Sequence, residues 1–392
     1  MAKKKILFCI ENVRQGGISK ALESILSFIE KSNLDIRIFC VNQKDGPYSY
    51  VFKKYFYRKQ NWLMYALSAY YTEHKGVKKA WLIFVKAISK ILKRLFKVDL
   101  LSQTLSHEAK RISKENFDVV IAFSEGIITH FCPLINTKKR IAWIHLDYKR
   151  YLSYTNNIDE KEIYSKYDSI VIPSKHCSNS FTQVFPQLQD KIVVIPNFVN
   201  SKRIKELSLA EENLDERFAC DDVFKIVSVG RICYEKRFFE IPSIAKVLKE
   251  RNLKFKWYII GSGSEKESSY LIKQIQQHGV EENVILLGAK NNPYPYIRHS
   301  QLLAVTSLTE TFCYAIAEAK TLGVPVITTN FGTAYEVLES ENGVICDIAD
   351  FSETISKIIE DTDWYYKLSD SLKKYKCNND YALNLFAHTT NY

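Results

Sequence analysis

Two glutamates eight residues apart, Glu310 and Glu318, sit in the stretch LLAVTSLTETFCYAIAEAKTLGVPVITT. A carboxylate accepts two hydrogen bonds at once, which suits the vicinal diol of a ribose or a hexose. The apolar run ending at Val305 reads as a strand, Glu310 falls on the loop after it, and Glu318 lies about two turns further on in a helix. Both can project towards one strand-end cleft. The backbone N–H groups of Thr311, Phe312, Cys313 and Tyr314 lie at the start of that helix, where unpaired donors and the helix dipole favour phosphates or sugar hydroxyls. The bare spacing of the two acids is that of any helix surface. Upstream, FKIVSVGRICYEKRFFE places Arg231 and Lys236 just past another strand, a cation pair suited to a pyrophosphate. The strand in KWYIIGSGSE ends in Gly261-Ser262-Gly263, where small residues let backbone approach a nucleotide. The third glycine of the dinucleotide fingerprint is absent, which argues against an oxidoreductase.

The first half offers further candidates. Gly16 and Gly17 follow the first strand run and open a helix, flanked by Arg14 and Lys20, an arrangement that lets a helix N-terminus approach an anion. The run RIAWIHLDY ends in His145 and Asp147; His145 can donate to a hydroxyl and Asp147 can orient it or touch an acceptor. Ser124-Glu125-Gly126 and Ser174-Lys175 close two other strand runs and face the same rim. A literal DxD, Asp361-Thr362-Asp363, precedes an amphipathic helix and reads as its cap rather than as a metal site. No metal ligand set is expected.

These residues need a scaffold that delivers strand ends to one place. Short apolar runs at 6–10, 36–41, 119–123, 140–144, 169–172 and 192–195, then at 225–229, 257–260, 284–287, 302–305, 326–328 and 343–346, alternate with helical stretches. Runs apolar on both faces and separated by helices predict parallel sheets with right-handed crossovers. The polar stretch 199–222 follows the turn signal Pro196-Asn197 and has no strand run. The expected organisation is an α/β protein of two facing Rossmann-like domains, 1–200 and 223–378, with a linker at 201–222 and an interdomain cleft that holds the ligands. A tail, 379–392, can return to the first domain.

Charge is unevenly placed. The net charge is +11, and residues 51–98 alone hold twelve Lys or Arg against one acid, Glu73. Within 77–97, Lys79, Lys86, Lys90, Lys93 and Lys97 form one stripe, and Trp81, Phe84, Val85, Ile88, Leu92 and Leu95 form another. An interfacial helix on anionic lipid and an apolar face packed on the domain both fit. No nucleic-acid motif accompanies the charge. Nine scattered cysteines without a CxxC read as reduced, buried thiols in a cytoplasmic protein. The run at 6–10 is too short for a signal-peptide core, and no run nears the ~18–20 apolar residues of a membrane span.

Taken together, the Glu-x7-Glu stretch with its GVPVI context, GRxxxxK at 230–236 and NPYPYI at 292–297 resemble the retaining GT-B glycosyltransferases of family GT4. The resemblance implies a nucleotide-diphosphate sugar donor, UDP-sugar favoured, bound mainly by the second domain. It implies that Arg231 and Lys236 hold the diphosphate, Glu318 the ribose, Glu310 the sugar hydroxyls, and 291–297 the nucleobase. Gly16 and Gly17 would meet donor phosphate or acceptor, and His145 the donor sugar. The acceptor would be a saccharide or a lipid-linked saccharide in bacterial surface polysaccharide synthesis, with no cofactor and no metal. A silent subunit of the same fold and a nucleotide-sugar epimerase are the alternatives. The chain departs from the family where Glu-Gly-Phe-Gly becomes Glu310-Thr311-Phe312-Cys313, so a loop that needs positive φ would strain Thr311 or Cys313. A frequent proline further on is Ala315.

Overall fold

The computed structural model describes residues 3–391 except 15, 31, 44–45, 47, 70–73, 156–159, 211–213 and 219–221. The chain forms two units: Met1–Pro173, Ser178–Phe198 and Asp380–Tyr392 in the first, and Ser174–Cys177 with Val199–Asn379 in the second. Each is built on one six-stranded sheet.

In the first unit, β1 (Lys4–Asn12), β2 (Leu34–Asn42), β3 (Val119–Ala122), β4 (Lys139–Trp143), β5 (Ser169–Ile172) and β6 (Ile192–Val194) run parallel in the order β2-β1-β3-β4-β5-β6. In the second, β7 (Phe224–Val229), β8 (Phe255–Ile260), β9 (Val284–Gly288), β10 (Leu302–Val305), β11 (Val326–Thr329) and β12 (Gly343–Cys346) run parallel in the order β12-β11-β10-β7-β8-β9. All twelve runs expected from sequence are strands. In the inner strands the β-branched and aromatic residues that made them legible are buried on both faces, as parallel strands under helices require, while the edge strands β6 and β12 are largely half-buried. The order reverses direction between β1 and β3 and again between β7 and β10. At such switch points the connections leave on opposite faces and open a crevice at the carboxyl ends of the strands. The loops that leave β7 and β10 carry Arg231, Lys236 and Glu310.

The stretch 199–222 is more structured than a linker. It holds the helix Ser201–Leu207 and a short turn at Glu216–Phe218, and it packs within the second unit. Phe218 lies 4.6 Å from the Tyr258 ring and 5.0 Å from Tyr296. The side-chain amide of Asn379 clips both backbone groups of Val199, at 2.9 and 3.0 Å. The last helix, Asp380–Thr390, belongs to the first unit, where Phe386 stacks on Phe8 at 6.5 Å.

The first unit also buries a carboxyl group. Glu160, 5% exposed, opens the short helix Glu160–Ser165, whose Tyr164 packs among the Tyr148, Phe181 and Phe185 rings. Burial pushes its pKa up to about 7, from an ordinary value of 4.5. Between those two values the folded chain holds a proton that the unfolded chain has lost, so stability falls as pH rises through that window. We expect Glu160→Gln to stabilise the protein by roughly 1–3 kcal/mol at pH 8 and by less as pH falls towards 5. Urea denaturation at both pH values reads the difference; an equal effect at the two would mean that Glu160 titrates as a solvated acid.

Candidate functional site

The side chains at the β7–β10 switch point hold one another. Lys236 Nζ forms an ion pair with Glu310 Oε1, and Ser307 Oγ donates to the same oxygen at 2.7 Å. Thr306 Oγ1 donates to the Lys236 carbonyl at 2.7 Å, Thr333 Oγ1 to the Glu310 carbonyl at 3.0 Å, and Leu308 N–H to the Glu235 carbonyl at 2.8 Å. The loops after β7, β10 and β11 are thereby fastened around one charge pair. Burial lowers the Lys236 pKa, but the neighbouring Glu310 carboxylate outweighs it and raises the ammonium pKa. The aliphatic stem of Lys236 crosses Gly230, where a Cβ would meet Cε at 3.3 Å. Arg231, the other expected cation, is exposed on the same loop.

Beyond Glu310 the chain enters the helix Tyr314–Leu322. Its N-cap is Cys313, at φ 57° and ψ 78°, so the loop does take the left-handed turn that the family's glycine suggested. Cys313 is buried, and burial followed by the Glu310 charge pushes its thiol up to about 12. Phe312 packs on the Tyr314 ring at 5.1 Å, and Thr311 is half-buried between Glu310 and Phe312. Glu318 is 2% exposed, and Tyr294 Oη donates to its Oε1 at 3.4 Å. Tyr294 comes from the 291–297 segment, in which Asn292 Nδ2 donates to the Leu207 carbonyl at 2.8 Å and Tyr296 Oη accepts from Asp215 N–H at 3.0 Å.

Gly261 and Gly263 have a reason of their own to be glycine. A Cβ on Gly261 would lie 1.7 Å from the Gly230 carbonyl oxygen, and one on Gly263 would lie 2.3 Å from that of Ile232. The loop after β8 lies directly on the loop after β7, with Ile232 N–H donating to the Ser262 carbonyl at 2.9 Å. The backbone these glycines admit is the protein's own.

In the first unit, Gly16 caps the helix Gly17–Ile29, and a Cβ on either Gly16 or Gly17 would meet nothing within 4 Å. The N-terminus of that helix is open, with Arg14 and Lys20 half-buried beside it. His145 follows β4; its N–H donates to the Glu125 carboxylate, and its ring lies 4.6 Å from Phe123 and parallel to Trp143 at 6.3 Å. Nε2 of His145 is buried and makes no hydrogen bond among the described residues, and burial holds the imidazole down to about 3, so it is neutral at physiological pH. Burial, with Glu160 and Glu11 adding to it, raises Glu125 to about 7. Glu160 carried no sequence signal, because its burial is purely tertiary.

Several expected side chains are spent on the fold. Asp147 accepts from Ser180 Oγ and from Arg150 N–H at 3.4 Å, capping the helix Tyr148–Thr155. Ser124 Oγ accepts Glu11 N–H at 3.2 Å. Ser174 Oγ accepts Cys177 N–H at 3.2 Å, while the Lys175 and His176 N–H groups meet the Glu336 carboxylate at 2.7 and 2.8 Å. Asp361 accepts Trp364 N–H at 2.9 Å and caps the helix Thr362–Leu372. Among the described residues no group of three His, Cys, Asp or Glu is placed to hold a metal ion.

The left-handed N-cap makes a stability prediction. A non-glycine residue there costs about 1 kcal/mol, so Cys313→Gly should be about 1 kcal/mol more stable than Cys313→Ala, although both lose the same buried thiol. Thermal denaturation of the pair checks it; a more stable alanine variant would mean that the loop relaxes out of this turn.

Comparison with known proteins bears on the site as a whole. The family model for glycosyl transferases group 1 matches residues 210–378. The capsular polysaccharide biosynthesis glycosyltransferase CapM of Staphylococcus aureus is 30% identical over 172 residues, 41% of this chain and 44% of CapM. The N-acetylgalactosamine-N,N'-diacetylbacillosaminyl-diphospho-undecaprenol 4-alpha-N-acetylgalactosaminyltransferase of Campylobacter jejuni is 26% identical over 188 residues, 47% of this chain and 48% of that protein. The chain spans about half the length of the curated relatives it matches. The crystal structure of Anabaena HepE in complex with UDP and glucose superposes with a TM-score of 0.70 at 17% identity, covering 99% of this chain and 97% of HepE. The fold is GT-B, built from two Rossmann-like domains, and residues 210–378 match the family model for glycosyl transferases group 1.

Proposed function

We propose that the protein is a retaining glycosyltransferase that moves a hexose or acetamido-hexose from a UDP-sugar to a saccharide or lipid-linked acceptor in bacterial surface polysaccharide synthesis. The observation that carries this reading is the charge pair Lys236–Glu310, braced by Ser307 at the switch point and followed in sequence by the buried Glu318. The bound UDP and glucose of HepE support the donor class, and the names of CapM and of the Campylobacter transferase support a polysaccharide or diphospho-undecaprenol-linked acceptor.

In this reading Lys236 stays charged because Glu310 stabilises it, and its remaining ammonium protons neutralise the leaving diphosphate. The exposed Arg231 adds a second, mobile cation. Glu310 accepts from the hydroxyls of the transferred sugar and Glu318 from the ribose. The neutral imidazole of His145 donates to a sugar hydroxyl. The leaving phosphate deprotonates the acceptor on the same face, so that no side chain acts as nucleophile. Charge on the diphosphate is met by Lys236, Arg231 and the start of the helix Tyr314–Leu322, so turnover needs no metal.

Glu310→Ala and Glu318→Ala should each cost at least about 2 kcal/mol of transition-state stabilisation, roughly thirtyfold in kcat/KM. Acceptor-dependent release of nucleoside diphosphate is the assay, and it also separates transfer from epimerisation. Full activity in both variants would remove the assigned roles. Activity should persist in excess chelator and in Asp361→Ala/Asp363→Ala; loss on chelation, restored by Mg²⁺ or Mn²⁺, would overturn metal independence.

A further inference from the structure

The helix Gly76–Phe96 has two apolar faces, and only one of them is used inside the protein. Leu82 is buried, and Val85, Ser89 and Leu92 beside it are half-buried, which marks the face packed on the first unit. A second row, Val77, Trp81, Phe84, Ile88, Ile91 and Leu95, recurs every three or four residues and lies in solvent, with Val77 87%, Phe84 62% and Leu95 67% exposed. At about 100° per residue the centres of the two faces stand roughly 120° apart, so a flat surface laid on the exposed row leaves the packed body clear of it. Of the lysine stripe on the opposite side of the helix, Lys79, Lys90, Lys93 and Lys97 lie in solvent and Lys86 is half-buried, while Arg94 and Lys78 flank the exposed row, Lys78 with its Nζ over the Tyr65 ring at 5.4 Å.

We propose that this exposed row docks the first unit on an anionic lipid surface, with Trp81, Phe84, Ile88, Ile91 and Leu95 entering the headgroup–acyl boundary and Lys78 and Arg94 reaching back to the phosphates. An apolar row with aromatic side chains on one side and a cationic face on the other is the layout of a helix lying in a membrane interface. No helix among the described residues is long and apolar enough to cross a membrane, so the contact is peripheral. Charge selects lipid over a second copy of this chain. Between residues 75 and 98 there is no acidic residue, so pairing two such helices, in either direction, would bring only cations to the flanks of the seam. Anionic headgroups complement the same charges. Binding needs no nucleotide sugar, so it stands or falls separately from the proposed activity.

The test is co-sedimentation of the full chain with vesicles of phosphatidylcholine alone or mixed with phosphatidylglycerol, at low and high salt. Binding should appear with phosphatidylglycerol, weaken with salt as screening shortens the reach of the flanking cations, and fall roughly tenfold or more in Phe84→Glu/Ile88→Glu. Lys78→Gln/Arg94→Gln should weaken binding to phosphatidylglycerol vesicles with its salt dependence reduced. Thermal denaturation confirms that these exposed substitutions leave the fold intact. No binding to anionic vesicles at low salt overturns the proposal. So does binding indifferent to Phe84→Glu/Ile88→Glu in a folded variant, or a concentration-dependent dimer that this variant dissolves without any vesicle binding in the parent.

Discussion

A lysine and a glutamate that meet across two loops organise the second unit. Lys236 and Glu310 are 74 residues apart, and each arrives on the loop after a different strand of the switch point. Burial works against the ammonium, and Glu310 reverses that effect. Removing one partner would leave the other charged in a site built to hold a pair, which costs more than the pair itself contributes. The hydroxyls of Ser307, Thr306 and Thr333 are fixed around it, so the pair also sets the path of three loops. The glycines at 261 and 263 serve the same end from the β8 side, because they let a neighbouring loop lie flat against the one that carries Lys236.

The first unit solves a different problem. Its strand ends present groups whose charge burial opposes: the His145 imidazole, held neutral, and the Glu125 carboxyl, raised to about 7. The two are joined, since the Glu125 carboxylate accepts the His145 N–H and so fixes where the imidazole stands against Phe123 and Trp143.

The strands and their parallel pairing were legible because apolar runs of five or six residues leave few other choices. Glu310, Lys236 and the left-handed position at Cys313 were legible because motif order and a glycine-for-cysteine exchange each carry a physical requirement. Asp147 and Gly261 were not, because what they meet, Ser180 and the Gly230 carbonyl, is distant in the chain. Glu160 was illegible for a similar reason: its burial belongs to the tertiary structure and not to its own stretch of sequence. Periodicity found the amphipathic character of Gly76–Phe96 but could not say which of its apolar rows is packed, and the half-buried Val85 and Leu92 had been grouped with residues that lie in solvent.

The last helix has a consequence for how the molecule is made. Asp380–Thr390 closes the first unit, with Phe386 against Phe8 and Trp143, although nearly two hundred residues of the second unit are synthesised in between. On the ribosome the half that begins first is therefore completed last. The second unit, almost continuous in sequence, can finish its sheet while the sheet of the first still lacks its final cover. Until Asp380–Thr390 has emerged, the aromatic patch around Phe8 and Trp143 waits for its lid, and a cut before that helix is felt at the other end of the chain.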